Sequence, residues 1–259
     1  MSHTQTYLQK SRELIEIVSA QEDNIAKAAD WFAKTILADR MVHVFGSGHS
    51  RMMTEEMWPR YGSFPGFNPI VELSLSFHNL VVGCNGQRQA MFLENASGLA
   101  EQILRNFELT EQDTALVISS SGCNRVPIEM AELFQKNGIK VVALISQLHS
   151  DASTTKDTRG LKLSDFADLI LDTGAPIGDA MIKIEGLDTP VSPGSTLGGC
   201  LVVNSIKAEV AQRLIDAGKP PKVLTAGALI GAERADEIFQ AAYDEHGRRL
   251  SRYYATLGE

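Results

Sequence analysis

Twice in this chain a short apolar run breaks directly into a loop of glycine and hydroxyl residues. Residues 41–45 (MVHVF) lead into Gly46-Ser47-Gly48-His49-Ser50, and residues 115–118 (ALVI) lead into Ser119-Ser120-Ser121-Gly122-Cys123-Asn124. Apolar runs this short and this continuous suit strands buried on both faces, the condition of a parallel sheet covered by helices. Glycine at the end of such a strand permits a sharp turn into the next helix. At that junction free backbone N–H groups and the positive end of the helix dipole gather, so the geometry suits an anion such as phosphate. Two serine-rich junctions in one chain point to a phosphorylated small molecule.

The rest of the chain alternates in the same way. Leu8, Leu14, Ile15, Ile17, Val18, Ile25, Ala28, Ala29, Phe32 and Ile36 recur mainly at helical intervals. They predict two helices over residues 4–39, broken near 20–23, with Ser19 or Asp23 as a cap. Helices are expected over 51–58, ended by Pro59, over 87–107 with Leu93, Leu99 and Leu104 inward, and over 126–136. Strands are expected at 70–73, 140–145 and 166–171, with a further candidate at 180–185; residues 77–82 are ambiguous. Gly194-Ser195-Thr196-Leu197-Gly198-Gly199 opens a helix to about 217, Pro220-Pro221 forces an extended segment, and 232–254 forms a last helix. Ile238, Ala241 or Ala242, and Leu250 mark the inner side of that last helix. The expected fold is α/β, a doubly wound parallel sheet flanked by helices, with an N-terminal helical extension. The organisation read from the chain is a helical segment at 1–39, the sheet domain at 40–230 and a C-terminal helix at 231–259.

Composition narrows the partners. A net charge of −8 over 259 residues argues against nucleic acid and against acidic membrane surfaces. Cys84, Cys123 and Cys200 are too widely spaced for a disulfide framework or a zinc pair, and the first residues lack an apolar signal segment, so a cytoplasmic protein is expected. Gly46-x-Gly48 is not a dinucleotide fingerprint, because Arg51 occupies the place of its third glycine, and no Gly-Lys-Ser or Gly-Lys-Thr occurs. No metal spacing is present. Neither a cofactor nor a metal is expected.

With these residues in hand, the chain resembles the SIS (sugar isomerase) family of phosphosugar-binding domains. That family carries a strand with a Gly-x-Gly-x-Ser loop and a later strand with a Ser-x-Ser-Gly loop that holds the sugar phosphate. The spacing here is similar to that of phosphoheptose isomerases. Glu55-Glu56-Met57-Trp58-Pro59-Arg60-Tyr61 also looks like their Glu-Glu-x-x-x-Arg-Tyr stretch, whose second glutamate is a base. The run from Gly46 to Glu56, with Pro176-x-Gly178-Asp179-Ala180 and Pro220-Pro221, is still more similar to a separate bacterial branch of SIS proteins. The resemblance covers roughly residues 20–230.

It implies that Gly46, Ser47, Gly48, Ser50, Ser119, Ser120, Ser121 and Asn124 bind a sugar phosphate. Aldose–ketose isomerisation through an enediol needs a base near the carbonyl and a group that polarises its oxygen. Glu56 is the first choice of base, Glu55 the alternative, and His49 a second acid–base group. Glu94 is expected to face a neighbouring subunit, since SIS isomerases build their sites at interfaces, and a homodimer or homotetramer is implied. His78 could reach the cleft, His43 reads as structural, His3 and His149 as exposed, and His246 as useful only if the last helix folds over a site. Arg51, Arg60 and Arg125 could neutralise an anion. Two departures stand out: Asn124 replaces a serine of the heptose isomerases, and helix 196–216 lacks their late histidine. A phosphosugar lyase or etherase, or a non-catalytic sensor, are the alternatives to an isomerase.

Overall fold

The computed structural model describes residues 2–76 and 85–254. His78, Cys84 and the ambiguous stretch at 77–82 lie outside the described residues.

Strands β1 (Val42–Gly46), β2 (Phe67–Ile70), β3 (Thr114–Ile118), β4 (Lys140–Ile145) and β5 (Leu169–Asp172) form one parallel sheet in the order β2-β1-β3-β4-β5. The helices are α1 (His3–Ser19), α2 (Glu22–Leu37), α3 (Arg51–Met57), α4 (Leu73–Ser76), α5 (Gly86–Leu93), α6 (Leu99–Leu104), α7 (Arg125–Lys136), α8 (Gln147–Ala152), α9 (Ser195–Asp216), α10 (Gly227–Ile230) and α11 (Ala232–Tyr254). Alternate strand residues serve two cores. Val42, Val44, Leu116, Ile118, Val142 and Leu144 pack under α2, α3 and α9. Phe45, Ala115, Val117, Val141, Ala143 and Ile145 pack under α6 and α7. Such burial on both sides explains why these strands read as unbroken apolar runs.

The expected α/β architecture is observed, with local differences. The break between α1 and α2 is capped by neither Ser19 nor Asp23. Gln21 instead mimics a strand residue: its amide nitrogen donates to the Asp172 carbonyl at 2.9 Å and its oxygen accepts from the Asp172 N–H at 2.7 Å. This pins the helix pair to the end of edge strand β5. The second strand lies three residues earlier than expected and carries Pro69, which an edge strand tolerates because one side of its ladder is empty. The expected 87–107 helix is two helices. Gly98, at φ 82°, turns the chain between them, and the Glu129 carboxylate accepts from its N–H and from the Ser97 hydroxyl. The candidate strand at 180–185 reduces to a single bridge between Ile182 and Val191, and the run leading into β5 is a short 3-10 turn, Leu163–Phe166.

Helix α11 follows its expected bounds, but its buried residues are Ala242, Arg249 and Tyr253, with Ile238 and Leu250 only half-buried. Two polar side chains are buried there because they close a network at the amino end of the sheet. The Arg249 guanidinium donates to the carbonyls of Ile36 and Arg40, while the Tyr253 hydroxyl donates to Asp113 and accepts from the Met41 N–H. Arg40 clamps both Asp113 oxygens at 2.8 and 2.9 Å. His43 is structural, as expected: buried, its Nδ1 is 3.0 Å from Asn68 and its Nε2 3.5 Å from Asp113. His246 packs on Trp58, and burial with the nearby Arg249 charge pushes its pKa down.

Burial alone would raise the Asp113 pKa, yet His43 and Arg40 outweigh it and hold the carboxyl at about 2. A depressed carboxyl pKa contributes stability above the unfolded value near 3.8 and loses it as pH falls toward 2. The shift corresponds to about 2 kcal/mol. Urea unfolding of the parent and Asp113→Asn should therefore differ most at pH 5 and above, with the gap narrowing as pH is taken to 2.5. A pH-independent gap would remove the carboxylate from the account.

Candidate functional site

In a 2-1-3-4-5 sheet the chain leaves β1 and β3 toward opposite sides, so a crevice opens beyond their carboxyl ends. Both glycine–serine loops lie there. β1 pairs with β3 so that Gly46 is opposite Ile118, which sets Ser47 and Ser119 at neighbouring strand ends. The cleft has a volume of about 500 Å³ and is shared by the two loops, α5, His149 on α8 and the first turn of α9.

The first loop turns tightly. A Cβ on Gly46 would meet the Ser50 carbonyl oxygen at 2.6 Å, so only glycine lets the strand pass under the 3-10 turn Gly48–Ser50. Ser50 does not cap α3 with its side chain. In the second loop Gly122 takes φ 61° and donates to the Ser119 carbonyl. The Ser119 and Ser121 hydroxyl oxygens accept from the Gly122 and Cys123 amides, leaving both O–H protons to donate outward, while Ser120 Oγ is buried without a partner among the described residues. Helix α7 begins directly after Asn124, its amino end at the loop. No lysine or arginine is among the described residues lining the cleft. An anion would be held by hydroxyls, amides and a helix dipole, as the negative net charge of the chain allows. Arg125 turns away to the Lys156 carbonyl, and Arg60 pairs with Glu56.

Glu94 joins the two loops. One carboxylate oxygen accepts from the Ser47 hydroxyl and the other from Asn124 Nδ2 at 2.7 Å. Its backbone carbonyl accepts from Val126 N–H in the first turn of α7. Burial pushes the Glu94 pKa up, and the Ser47 and Asn124 hydrogen bonds offset this only in part. Glu94 therefore faces the cleft of its own chain; the sequence had flagged it for a neighbouring subunit. Asn124, a departure from the heptose isomerase pattern, holds it together with Ser47.

Neither Glu56 nor Glu55 is brought to this cleft. Met53 and Met57 form the buried face of α3, which leaves Glu56 at its border with α9. There Glu56 accepts from Asn204 at 3.0 Å and from Arg60, and its carbonyl accepts from the buried Lys207 at 2.8 Å. Burial acts to raise the Glu56 pKa, but Asn204, Arg60 and Lys207 together hold it below the ordinary range. Glu55 is exposed, 3.9 Å from Arg51. His49 lines the cleft, as the first loop requires. His149, read from sequence as exposed, lines it too. Asp179, Ser195 and Thr196 complete the opposite wall. The sequence signal for that wall was the Pro176-x-Gly178-Asp179 motif, which by itself carries no position in space. Among the described residues no His, Cys, Asp or Glu group is arranged to hold a metal ion, and no helix is long and apolar enough to cross a membrane.

The Glu94 environment makes a signed prediction. Carboxyl ¹³C NMR should give Glu94 a pKa above 4.5. Asn124→Ala removes a hydrogen bond to the charged form, so it should move that pKa further up; a downward move would contradict the assigned geometry.

A profile of the SIS domain matches residues 6–146. A UPF0309 protein of Listeria innocua is 31% identical over 239 residues, spanning 92% of this chain and 93% of the relative. Among solved structures, phosphoheptose isomerase from Neisseria gonorrhoeae is similar with a TM-score of 0.52 at 14% identity, covering 81% of this chain and 97% of that one. The NanR protein of Vibrio vulnificus, complexed with ManNAc-6P, is similar with a TM-score of 0.50 at 13% identity, covering 93% and 67%. At these identities the structural likeness is one of fold. The sequence matches carry more: the chain belongs to the SIS domain family, and within it to the UPF0309 proteins.

Proposed function

We propose that this phosphosugar-binding SIS protein is an aldose–ketose isomerase acting on a sugar phosphate through an enediol, with Glu94 in the role that sequence reasoning gave to Glu56. The observation that carries the reading is a half-buried carboxylate with a raised pKa, hydrogen-bonded to both of the loops proposed to bind the anion. In this reading the phosphate sits on Ser119, Ser120 and Ser121 at the amino end of α7, and Ser47, Ser50 and His49 meet the sugar. Glu94 then lies beside the carbon chain. A raised pKa brings a carboxylate closer to the range in which it both takes and returns a proton. The ManNAc-6P bound by NanR supports a sugar phosphate as the ligand class. The alternative base, Glu56, is tied to Arg60, Asn204 and Lys207, and those bonds keep its basicity low. We also place the chain in a homodimer or homotetramer, a reading supported by the exposed Leu8 and Ile15 on α1 and Phe92 on α5.

Proton NMR of pentose to heptose phosphates in D₂O, with amino and N-acetyl forms included, reads the reaction directly. Loss of a C1 or C2 proton signal identifies both substrate and proton transfer. Glu94→Gln should slow that exchange by about 10²–10⁴-fold while ligand affinity stays within a few-fold. Glu56→Gln should stay within about threefold in exchange, its cost appearing as lower stability from the unpaired Lys207 and Arg60. An active Glu94→Gln with an inactive Glu56→Gln would reverse the assignment.

A further inference from the structure

The late-helix histidine of the heptose isomerases is missing here, and the Pro176-x-Gly178-Asp179 motif has no part in the phosphate site. These two facts meet at His149. Its Nδ1 accepts a hydrogen bond from the Gly178 N–H at 3.1 Å. A ring nitrogen that accepts carries no proton, so the neutral imidazole holds its proton on Nε2. His149 lines the cleft, and its Nε2 has no partner among the described residues. The ring thus presents an Nε2–H donor that the protein orients and that has no partner among the described residues.

The surroundings hold that orientation from two sides. Ser146 Oγ accepts from the His149 N–H at 3.3 Å and donates to the Ala175 carbonyl at 2.7 Å, tying the start of α8 to the segment that leads into the turn. In the turn itself Gly178 takes φ 78°, which glycine adopts freely, and Asp179 takes φ 51°, which it does not. The Asp179 carboxylate accepts from the Gly194 and Ser195 amides at 3.0 and 2.8 Å and from the Ser195 hydroxyl at 2.6 Å. Residues 176–179 therefore form a bracket, anchored on α9 at one end and aiming an imidazole at the other. A costly backbone conformation kept beside a cleft is the kind of strain found at functional sites.

We propose that His149 is a catalytic electrophile, donating through Nε2–H to the carbonyl oxygen of the bound sugar. This rests on the sugar-phosphate isomerase reading above. As Glu94 removes the C2 proton, the C2–H electron pair forms the C1–C2 double bond and negative charge gathers on O1. The Nε2–H bond stabilises that charge where it develops. The proton on O2 then passes to O1 as the carbonyl forms at C2, and Glu94 returns its proton to C1. Atoms balance, and His149 ends the cycle as it began.

The test has one readout without turnover and one with it. In ¹⁵N-histidine protein at pH 8.5, two-bond ¹H–¹⁵N correlations should show the resonance lost in His149→Ala as the Nε2–H tautomer. An Nδ1–H pattern would overturn the proposal. Adding the sugar phosphate that exchanges in D₂O should shift the His149 Nε2 signal. His149→Ala should slow exchange by about 100-fold with KM within a few-fold, and His149→Gln, whose amide N–H lies near the place of Nε2–H, should recover about tenfold of that loss. A ligand that binds and exchanges with His149 Nε2 unmoved, or an Ala variant within threefold of the parent, would overturn His149 alone. Failure of the parent to bind or exchange any sugar phosphate would instead overturn the isomerase reading, and this proposal with it.

Discussion

The pairing of β1 with β3 is the constraint on which the site depends. Five parallel residue pairs, from Val42 with Thr114 to Gly46 with Ile118, bring two strands more than sixty residues apart in sequence to the same level of the sheet. Each ends in a glycine–serine loop, and because β2 lies on the other side of β1, the two helices that follow diverge. The gap between them is the cleft. Glu94 lines it and reaches one loop through Ser47 and the other through Asn124, so one carboxylate bridges the two loops that the sheet sets side by side.

That carboxylate sits where the proposed ligand brings negative charge. With no lysine or arginine on the described walls, phosphate would be held by oriented dipoles, which need no counter-charge and do not neutralise Glu94. A bound phosphate would push the Glu94 pKa further in the direction burial already takes it. In the proposed reaction, binding and proton transfer would thereby be coupled through the same electrostatic field. Glu56, which is paired with Arg60 and Lys207, lies outside the cleft at the border of α3 and α9.

The two ends of the sheet divide the work. At the carboxyl ends, the Ser120 hydroxyl is buried without a partner among the described residues, and burial of an unpaired polar group costs stability. At the amino ends, Arg40, Asp113, Tyr253 and Arg249 satisfy one another and tie α11 to β1 and β3. Such a closed network is expensive to break at any one member, because the partner left behind is buried and unpaired. None of these four residues lines the cleft.

Much of this was legible along the chain, for a physical reason. Strands buried on both faces must be apolar throughout, a helix on one face must repeat its apolar residues every three or four positions, and a tight turn under a loop must be glycine. Those are local requirements, so the α/β class, the long helices and both serine loops could be read from residue order. Edge features were less legible: Pro69 in β2 and the Gly98 break are permitted by neighbours that sequence order does not reveal. The site divided along the same line. Ser47 and Ser119 to Ser121, which line the cleft, could be singled out because a loop after a strand carries its own chemistry. Glu94, Asn124 and His149 acquire theirs only from partners far along the chain, at Ser47, at Glu94 itself and at Gly178. Sequence alone determined that two glycine–serine loops follow buried strands. Tertiary structure decided which carboxylate stands between them, because the direction of a side chain across a cleft is set by packing, and neighbouring glutamates such as Glu55 and Glu56 can each match a motif while both point elsewhere.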